Sequence, residues 1–437
     1  MGSPEFAAII IAVLVMSILL GIPVVISLGL TSFFGLAYLM GTFDIASSLL
    51  ASSAFGAIRA YEFATIPLFV LLGEILAKSG AATDLFKLIN QSFKRLPGRL
   101  ALATVGGNAA FGAVTGVSIA SAAAFSRIAY PEMARAKYDK GVALGCIAGS
   151  ASLGMLLPPS VLLIIWGVMA EQSIGKLFIA GVVPGLLLAS LFFLFLLVFA
   201  LLKPHLFGST HEQDAVVEKA DARARIGATG VILMILLIFG GIWFGLFTPT
   251  EAAGIGVLGA VMVGLAKGMK WRDFSASILN TGRISAPLLF LLITAQMYSR
   301  LLSMGGIGDM IGDLFLGVGG VYLTLAIMVA IWLVLGMFLD STSIILLTVP
   351  IFAPIATALG FEPLAFAILG ILAIEAGLLT PPLGLCVYTV KGCISDPNAS
   401  LGLIFRGSIP YWIILLLVVL LVALFPGIAN WLPTKMM

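Results

Sequence analysis

The stretches GMLLPPS (154–160) and GLLTPPLG (377–384) decide how this chain folds. Each places a glycine and a double proline inside an apolar segment long enough to cross a bilayer. Proline removes a backbone donor and its ring crowds the preceding turn. Glycine costs about 1 kcal/mol in a helix interior relative to alanine. Both segments are therefore read as interrupted helices, 141–170 and 364–391. In hydrocarbon, an interrupted backbone is tolerated only where it is buried in protein or lines a cavity. Breaks of that kind turn free carbonyls toward cations and half-helix N-termini toward anions.

Composition sets the environment. Hydrophobic residues make up 61% of the 437 positions and charged residues 10%, where soluble domains carry about 25% charged. Apolar runs at 6–20, 177–202, 226–247, 321–339 and 409–425 each approach the ~20 residues that span a bilayer as a helix. The chain reads as an all-α polytopic membrane protein, with the lipid bilayer as its surroundings and no nucleic-acid partner. Its longest polar stretch, 203–225, is too short for a core and reads as a cytoplasmic connecting loop. The opening MGSPEF (1–6) resembles a vector remnant. Cys146, Cys386 and Cys393 lack metal-ligand spacing and read as packing residues, and His205 and His211 share the polar loop.

Charge orients the spans. Of the 23 Lys and Arg residues, all but Arg59, Lys176, Arg300 and Lys435 crowd into a few loops, which the positive-inside rule makes cytoplasmic. The N-terminus then starts on the opposite, periplasmic side. Segment 100–130 begins and ends beside basic loops, so it reads as a re-entrant hairpin with its tip at TGVS (115–118). Segment 321–358 lies between stretches without Lys or Arg and reads as a hairpin entering from outside, its tip at LDSTS (339–343). The halves 7–202 and 226–437 thus have like order and opposite orientation, an inverted-topology repeat. Two amphipathic stretches, 42–60 and 271–283, occupy matching positions as interfacial arms.

Each interrupted helix is expected to meet the hairpin tip of its own repeat. Hydroxyls, backbone oxygens and one carboxylate are hard ligands that suit Na⁺ better than a soft metal. The expected Na⁺ ligands are Thr115, Gly116, Ser118 and Gly154 in one half-site and Asp340, Ser341, Thr380 and Gly384 in the other. Two half-sites suggest two or more ions per cycle. Between them, Val117, Ser118, Ser341, Thr342, Pro159 and Pro382 are placed against substrate. Asp340 has a second reading, as the cap of the following helix. Glu74 is paired with Lys78 at i+4, Glu251 with the helix start near Thr248, and Glu375 is given the task of ordering the second break.

The motifs TIPLFVLLGEILAKSG, PEMARAKYD, GMLLPPS, FTPTEAAGIG, LDSTSIILLTVPIFAPI and GLLTPPLGLCVY, in this order over essentially the whole chain, resemble the large membrane subunit of tripartite ATP-independent periplasmic (TRAP) transporters. The first tip departs from the Gly-Ser-Ser run frequent in that family. The resemblance implies a bacterial inner-membrane secondary transporter, driven by Na⁺ and moving as an elevator. It also implies two partners, a small four-helix membrane subunit and a soluble periplasmic substrate-binding protein. A stand-alone Na⁺/dicarboxylate symporter of similar architecture is the alternative. A channel fits two opposed hairpins less well, and an intramembrane protease lacks a membrane-embedded His or a second deep Asp beside Asp340.

Overall fold

A computed structural model of the chain describes residues 4–59, 61–208, 221–317 and 319–436. His211 and most of the 203–225 loop lie outside the described residues, as do the first three residues of MGSPEF. The described residues are helical throughout, with no strand among them. Six helices are long and apolar enough to cross a membrane, or eight if two bent pairs each count as one span.

The first half runs α1 (Pro4–Leu19), α2 (Val24–Met40), α3 (Phe43–Arg59), α4 (Thr65–Lys78) and α5 (Ala81–Ser92). The hairpin α6 (Arg99–Thr115) and α7 (Ser118–Arg135) follows. The interrupted helix comes next, as α8 (Lys140–Ser150), α9 (Leu153–Leu156) and α10 (Val161–Met169), and α11 (Ile174–Leu202) closes the half. The second half repeats the order with α12 (Ala222–Trp243), α13 (Pro249–Ala266), α14 (Trp271–Gly305) and α15 (Ile307–Leu316). Its hairpin is α16 (Val321–Gly336) and α17 (Ser341–Ala358), its interrupted helix α18 (Pro363–Gly377) and α19 (Leu385–Cys393). Helices α20 (Leu401–Leu424) and α21 (Gly427–Met436) end the chain.

Two local readings change. The amphipathic stretch 271–283 and the span after it are one continuous helix, α14, of 35 residues. Gly282 and Pro287 inside it do not end it, whereas the matching α3 and α4 are set 57° apart. The stretch 301–320, which carries Asp309 and Asp313 and no basic residue and reads as a loop from the sequence, holds α15. Its i, i+3, i+4 apolar spacing at Ile307, Met310, Ile311 and Leu314 is a helix signal.

The repeats interlock at both ends. Helix α20 packs against α8 so closely that a Cβ on Gly145 would sit 2.2 Å from the Gly407 carbonyl carbon. Nearby, Asp396, in the loop after α19, accepts hydrogen bonds from the Tyr130 hydroxyl of α7 (2.7 Å) and the Lys140 ammonium of α8 (2.7 Å). These donors hold the Asp396 carboxyl down at about 2. A carboxylate lowered in this way stabilises the fold above its ordinary range, near pH 4, and loses that contribution as pH falls toward 2. At the far end Trp166 of α10, Trp332 of α16 and Phe366 of α18 form one buried aromatic group, with centroids 5.4–6.0 Å apart.

Glycine pairs dock each hairpin on its own interrupted helix. A Cβ on Gly112 of α6 would fall 2.4 Å from the Gly154 Cα of α9, and one on Gly336 of α16 would fall 2.7 Å from the Gly377 Cα of α18. Backbone stands on both sides of each contact, so no side chain can swing away. Gly112→Ala should destabilise by about 1–3 kcal/mol, the usual cost of overpacking. Gly254→Ala, where no atom lies within 4 Å of the added carbon, should leave stability unchanged or slightly raised. Thermal unfolding of the two purified variants checks the contrast.

Candidate functional site

Both chain breaks are built alike. In the first, α9 ends at Leu156, Leu157 and Ser160 on either side of the prolines are extended, and the path turns by 43° into α10. In the second, α18 ends at Gly377 and α19 resumes at Leu385 behind the left-handed Gly384 (φ 53°). The Pro158–Pro159 and Pro381–Pro382 peptides are both cis. The Val161 amide donates to the Gly116 carbonyl at the first tip, and the Leu383 amide donates to the Met337 carbonyl at the second, each over 3.2 Å. Each hairpin therefore supplies an acceptor that its own broken helix has lost.

At the first tip the chain passes through Gly116 (φ 63°) and the extended Val117 into α7. A side chain at Gly116 would be strained by its φ and would meet the Pro159 carbonyl oxygen at 2.9 Å. Pro158 and Pro159 are buried beneath this tip. Pro159 lies under the Gly116 tip and is closed off from solvent in this conformation. Pro381 and Pro382 are exposed, so only the second break has an open face.

At the second tip Asp340 caps α17. One carboxylate oxygen accepts from the Ser343 amide at 3.0 Å and the other from the Ser343 hydroxyl. Both oxygens are thus engaged inside the DSTS turn, an N-cap geometry that the sequence DSTS already suggests.

The residue that joins the repeats is Glu375. It lies on α18, 1% exposed, and its Oε1 accepts from the Ser341 hydroxyl of the second tip at 3.0 Å. Its Oε2 is buried without a hydrogen-bond partner among the described residues, and Ser118 of the first tip is reached through Cys386. The Cys386 thiol donates to the same Ser118 hydroxyl over 3.8 Å. Ser118, Ser341, Glu375 and Cys386 thus gather both tips and the second break into one cluster. Sequence reading underrated Glu375. Its signal was there, a lone acid in the apolar run 363–382, and an ionisable group at that depth is a functional candidate by default.

Hydroxyls can turn lone pairs to a cation only when their hydrogens point elsewhere. Here they do: Thr115 donates to the Phe111 carbonyl (3.1 Å), Thr380 to the Ala376 carbonyl (2.8 Å), and Ser341 to Glu375. The donor set is all oxygen and suits a hard cation. Gly154 sits under the first tip, where its added Cβ would lie 3.6 Å from the Val117 carbonyl oxygen. Thr342 is buried beside Ser341. Two structural acids resolve as follows. Glu251 completes a capping box with Thr248. Glu74 accepts from the Asn280 side chain of α14 at 3.2 Å rather than pairing with Lys78, because α4 lies along α14.

Comparison with known proteins fits this architecture. The profile of the tripartite ATP-independent periplasmic transporter, DctM component, matches residues 10–428. The C4-dicarboxylate TRAP transporter large permease protein DctM of Pseudomonas aeruginosa is 32% identical, over 93% of this chain and 94% of its own. The sialic acid TRAP transporter large permease protein SiaM of Vibrio cholerae is 30% identical, over 94% and 95%. The crystal structure of the Alcanivorax borkumensis YdaH transporter superposes with a TM-score of 0.63 at 16% identity, over 87% of this chain and 89% of that one. That last likeness speaks for the fold.

The cap reading of Asp340 has a direct consequence. Asp340→Ala should cost about 1 kcal/mol, the usual loss for an N-cap. Asp340→Asn, which caps equally well, should keep wild-type stability. Thermal unfolding of both variants checks the order, and a parallel loss in the two would remove the cap account.

Proposed function

Because the chain belongs to the DctM-component family of tripartite ATP-independent periplasmic transporters, we propose that it carries out Na⁺-coupled uptake of a small organic anion handed over by a periplasmic substrate-binding protein. Its relatives are named as large permease proteins, and with six helices long and apolar enough to cross a membrane we place the chain as a multi-pass protein in the bacterial inner membrane. We place the N-terminus in the periplasm, on the distribution of Lys and Arg, and take a small membrane subunit as the second partner. The names of relatives cover a C4-dicarboxylate, sialic acid and isethionate, so the substrate class we propose is a carboxylate, sugar acid or sulfonate, with selectivity vested in the binding protein.

The observation that carries the reading is the cluster around Glu375, where both hairpin tips meet. Oxygens of Thr115, Gly116, Ser118 and Gly154 would hold Na⁺ in one repeat, and those of Ser341, Thr380 and Gly384 in the other. Asp340 acts through its cap on Ser343, which fixes the position of Ser341. Bound Na⁺ supplies the positive charge that makes the site receptive to an anion. Val117, Ser118, Ser341, Thr342 and Pro382 then face substrate between the tips. Glu375 ties Ser341 to α18, so the second tip and the second break shift together. In an elevator, the hairpins and interrupted helices travel as one body against the remaining spans. The glycine contacts at Gly112–Gly154 and Gly336–Gly377 give that body its rigidity.

Proteoliposomes containing this chain and its small subunit, with loaded binding protein outside, test the proposal. Uptake should require an inward Na⁺ gradient, and should stop when the binding protein is omitted. Two ions with a monoanion carry net positive charge inward, each charge gaining about 2.3 kcal/mol per 100 mV. Glu375→Gln should fold normally and lower Na⁺-driven uptake by about tenfold or more, since the amide supplies an oxygen but no charge. Undiminished uptake without Na⁺ would overturn the coupling. Uptake without the binding protein would favour a stand-alone symporter.

A further inference from the structure

A polar cavity lies away from the hairpin tips, at the end of the bundle opposite the basic loops. Its volume is about 890 Å³, and α3, the turn after α10, the start of α13 and the end of α14 enclose it. Helix α13 fixes which end this is, running from Thr248 and Pro249 at the cavity to Ala266, beside Lys267.

The charges that line it are Arg300, Glu62 and Glu171. Arg300 breaks the pattern that confines Lys and Arg to the other side. Its hydrogen bonds run from Nη1 to the Ser52 hydroxyl (3.3 Å) and the Ser53 hydroxyl (3.1 Å) of α3. Among the described residues no carboxylate pairs with it. The Nε–Nη2 edge of the guanidinium is thus free, and it is the edge that grips a carboxylate with two parallel hydrogen bonds. Glu62 and Glu171 are exposed to the same cavity and unpaired among the described residues. Glu171 projects from a turn with φ 53°, a conformation uncommon for a residue with a side chain. Helix α10 ends at this wall and adds the negative end of its dipole.

One guanidinium and two carboxylates do not suit a dianion, which would meet net repulsion. They suit a molecule with a carboxylate at one end and a cationic nitrogen at the other. We infer that this outer vestibule is a binding site for small zwitterionic carboxylates, with Arg300 holding the carboxylate and Glu62 and Glu171 the cationic end. It is distinct from the hairpin-tip site. It stands apart from the transport reading, because binding is measured without transport.

Isothermal titration of the purified full chain with 4-aminobutyrate and with glutarate, its isostere bearing a second carboxylate, tests the inference. We expect 4-aminobutyrate to bind with a dissociation constant on the order of millimolar, and glutarate about tenfold more weakly or less. Arg300→Gln should weaken 4-aminobutyrate by about tenfold or more. The Ser52→Ala/Ser53→Ala double variant, which removes the tether of α3 and keeps the guanidinium, should bind within about threefold of wild type. The Glu62→Gln/Glu171→Gln variant should reverse the preference toward glutarate. Glu375→Gln should leave vestibule binding intact whatever it does to uptake; loss of binding there would move the ligand to the hairpin tips and overturn the inference. So would no heat from 4-aminobutyrate up to about 50 mM, or equal affinity of wild type and Arg300→Gln.

Discussion

An amide or carbonyl released from a helix inside hydrocarbon has no water to bond to, and leaving it unpaired costs several kcal/mol. Two double prolines create that problem twice here, and most of the architecture follows from how it is met. Each hairpin enters to bring an acceptor to the break: the Gly116 carbonyl for the Val161 amide, and the Met337 carbonyl for the Leu383 amide. A hydrogen bond of this kind needs backbones in contact. Glycine faces glycine at both docking points for that reason, since any Cβ would collide with main chain. The inverted repeat is thus visible in chemistry as well as in topology, because the same deficit receives the same remedy in both halves.

The two remedies differ in exposure, and that difference bears on function. The first break is buried under Gly116, with Pro158 and Pro159 out of reach of solvent, while Pro381, Pro382 and Leu383 stand open at the second. Glu375 bridges this asymmetry. It belongs to the second repeat and bonds the second tip through Ser341, while Cys386 of the same break bonds Ser118 at the first. Its unpaired Oε2 is an acceptor kept at hand where hydroxyl oxygens converge.

Much of this was legible in the sequence because the determining signals are local. Gly-x-x-x-Pro-Pro recurs at Gly154 and Gly377, each at a break between helices. The cap at Asp340 is written in the DSTS run that follows Leu339. What was not legible depends on partners remote in the chain. Nothing near Glu375 in sequence says that Ser118 will approach it. Nothing near Glu74 points to Asn280, so the nearer Lys78 took its place in the reading. The burial of Pro159 under the Gly116 tip depends likewise on a segment outside its own motif. The long helix α14 was divided because an amphipathic stretch followed by an apolar one resembles two elements, and local pattern cannot say whether the axis bends between them.

Hydrogen–deuterium exchange of the reconstituted chain, compared in Na⁺ and in K⁺ at equal ionic strength, tests the shared-site account most directly. Na⁺ is expected to slow exchange in peptides covering both tips and both breaks together, 111–121 with 154–162 and 337–343 with 376–386. The α12 and α20 spans should not change. No Na⁺-dependent difference at the tips and breaks, or one confined to the basic loops, would contradict it.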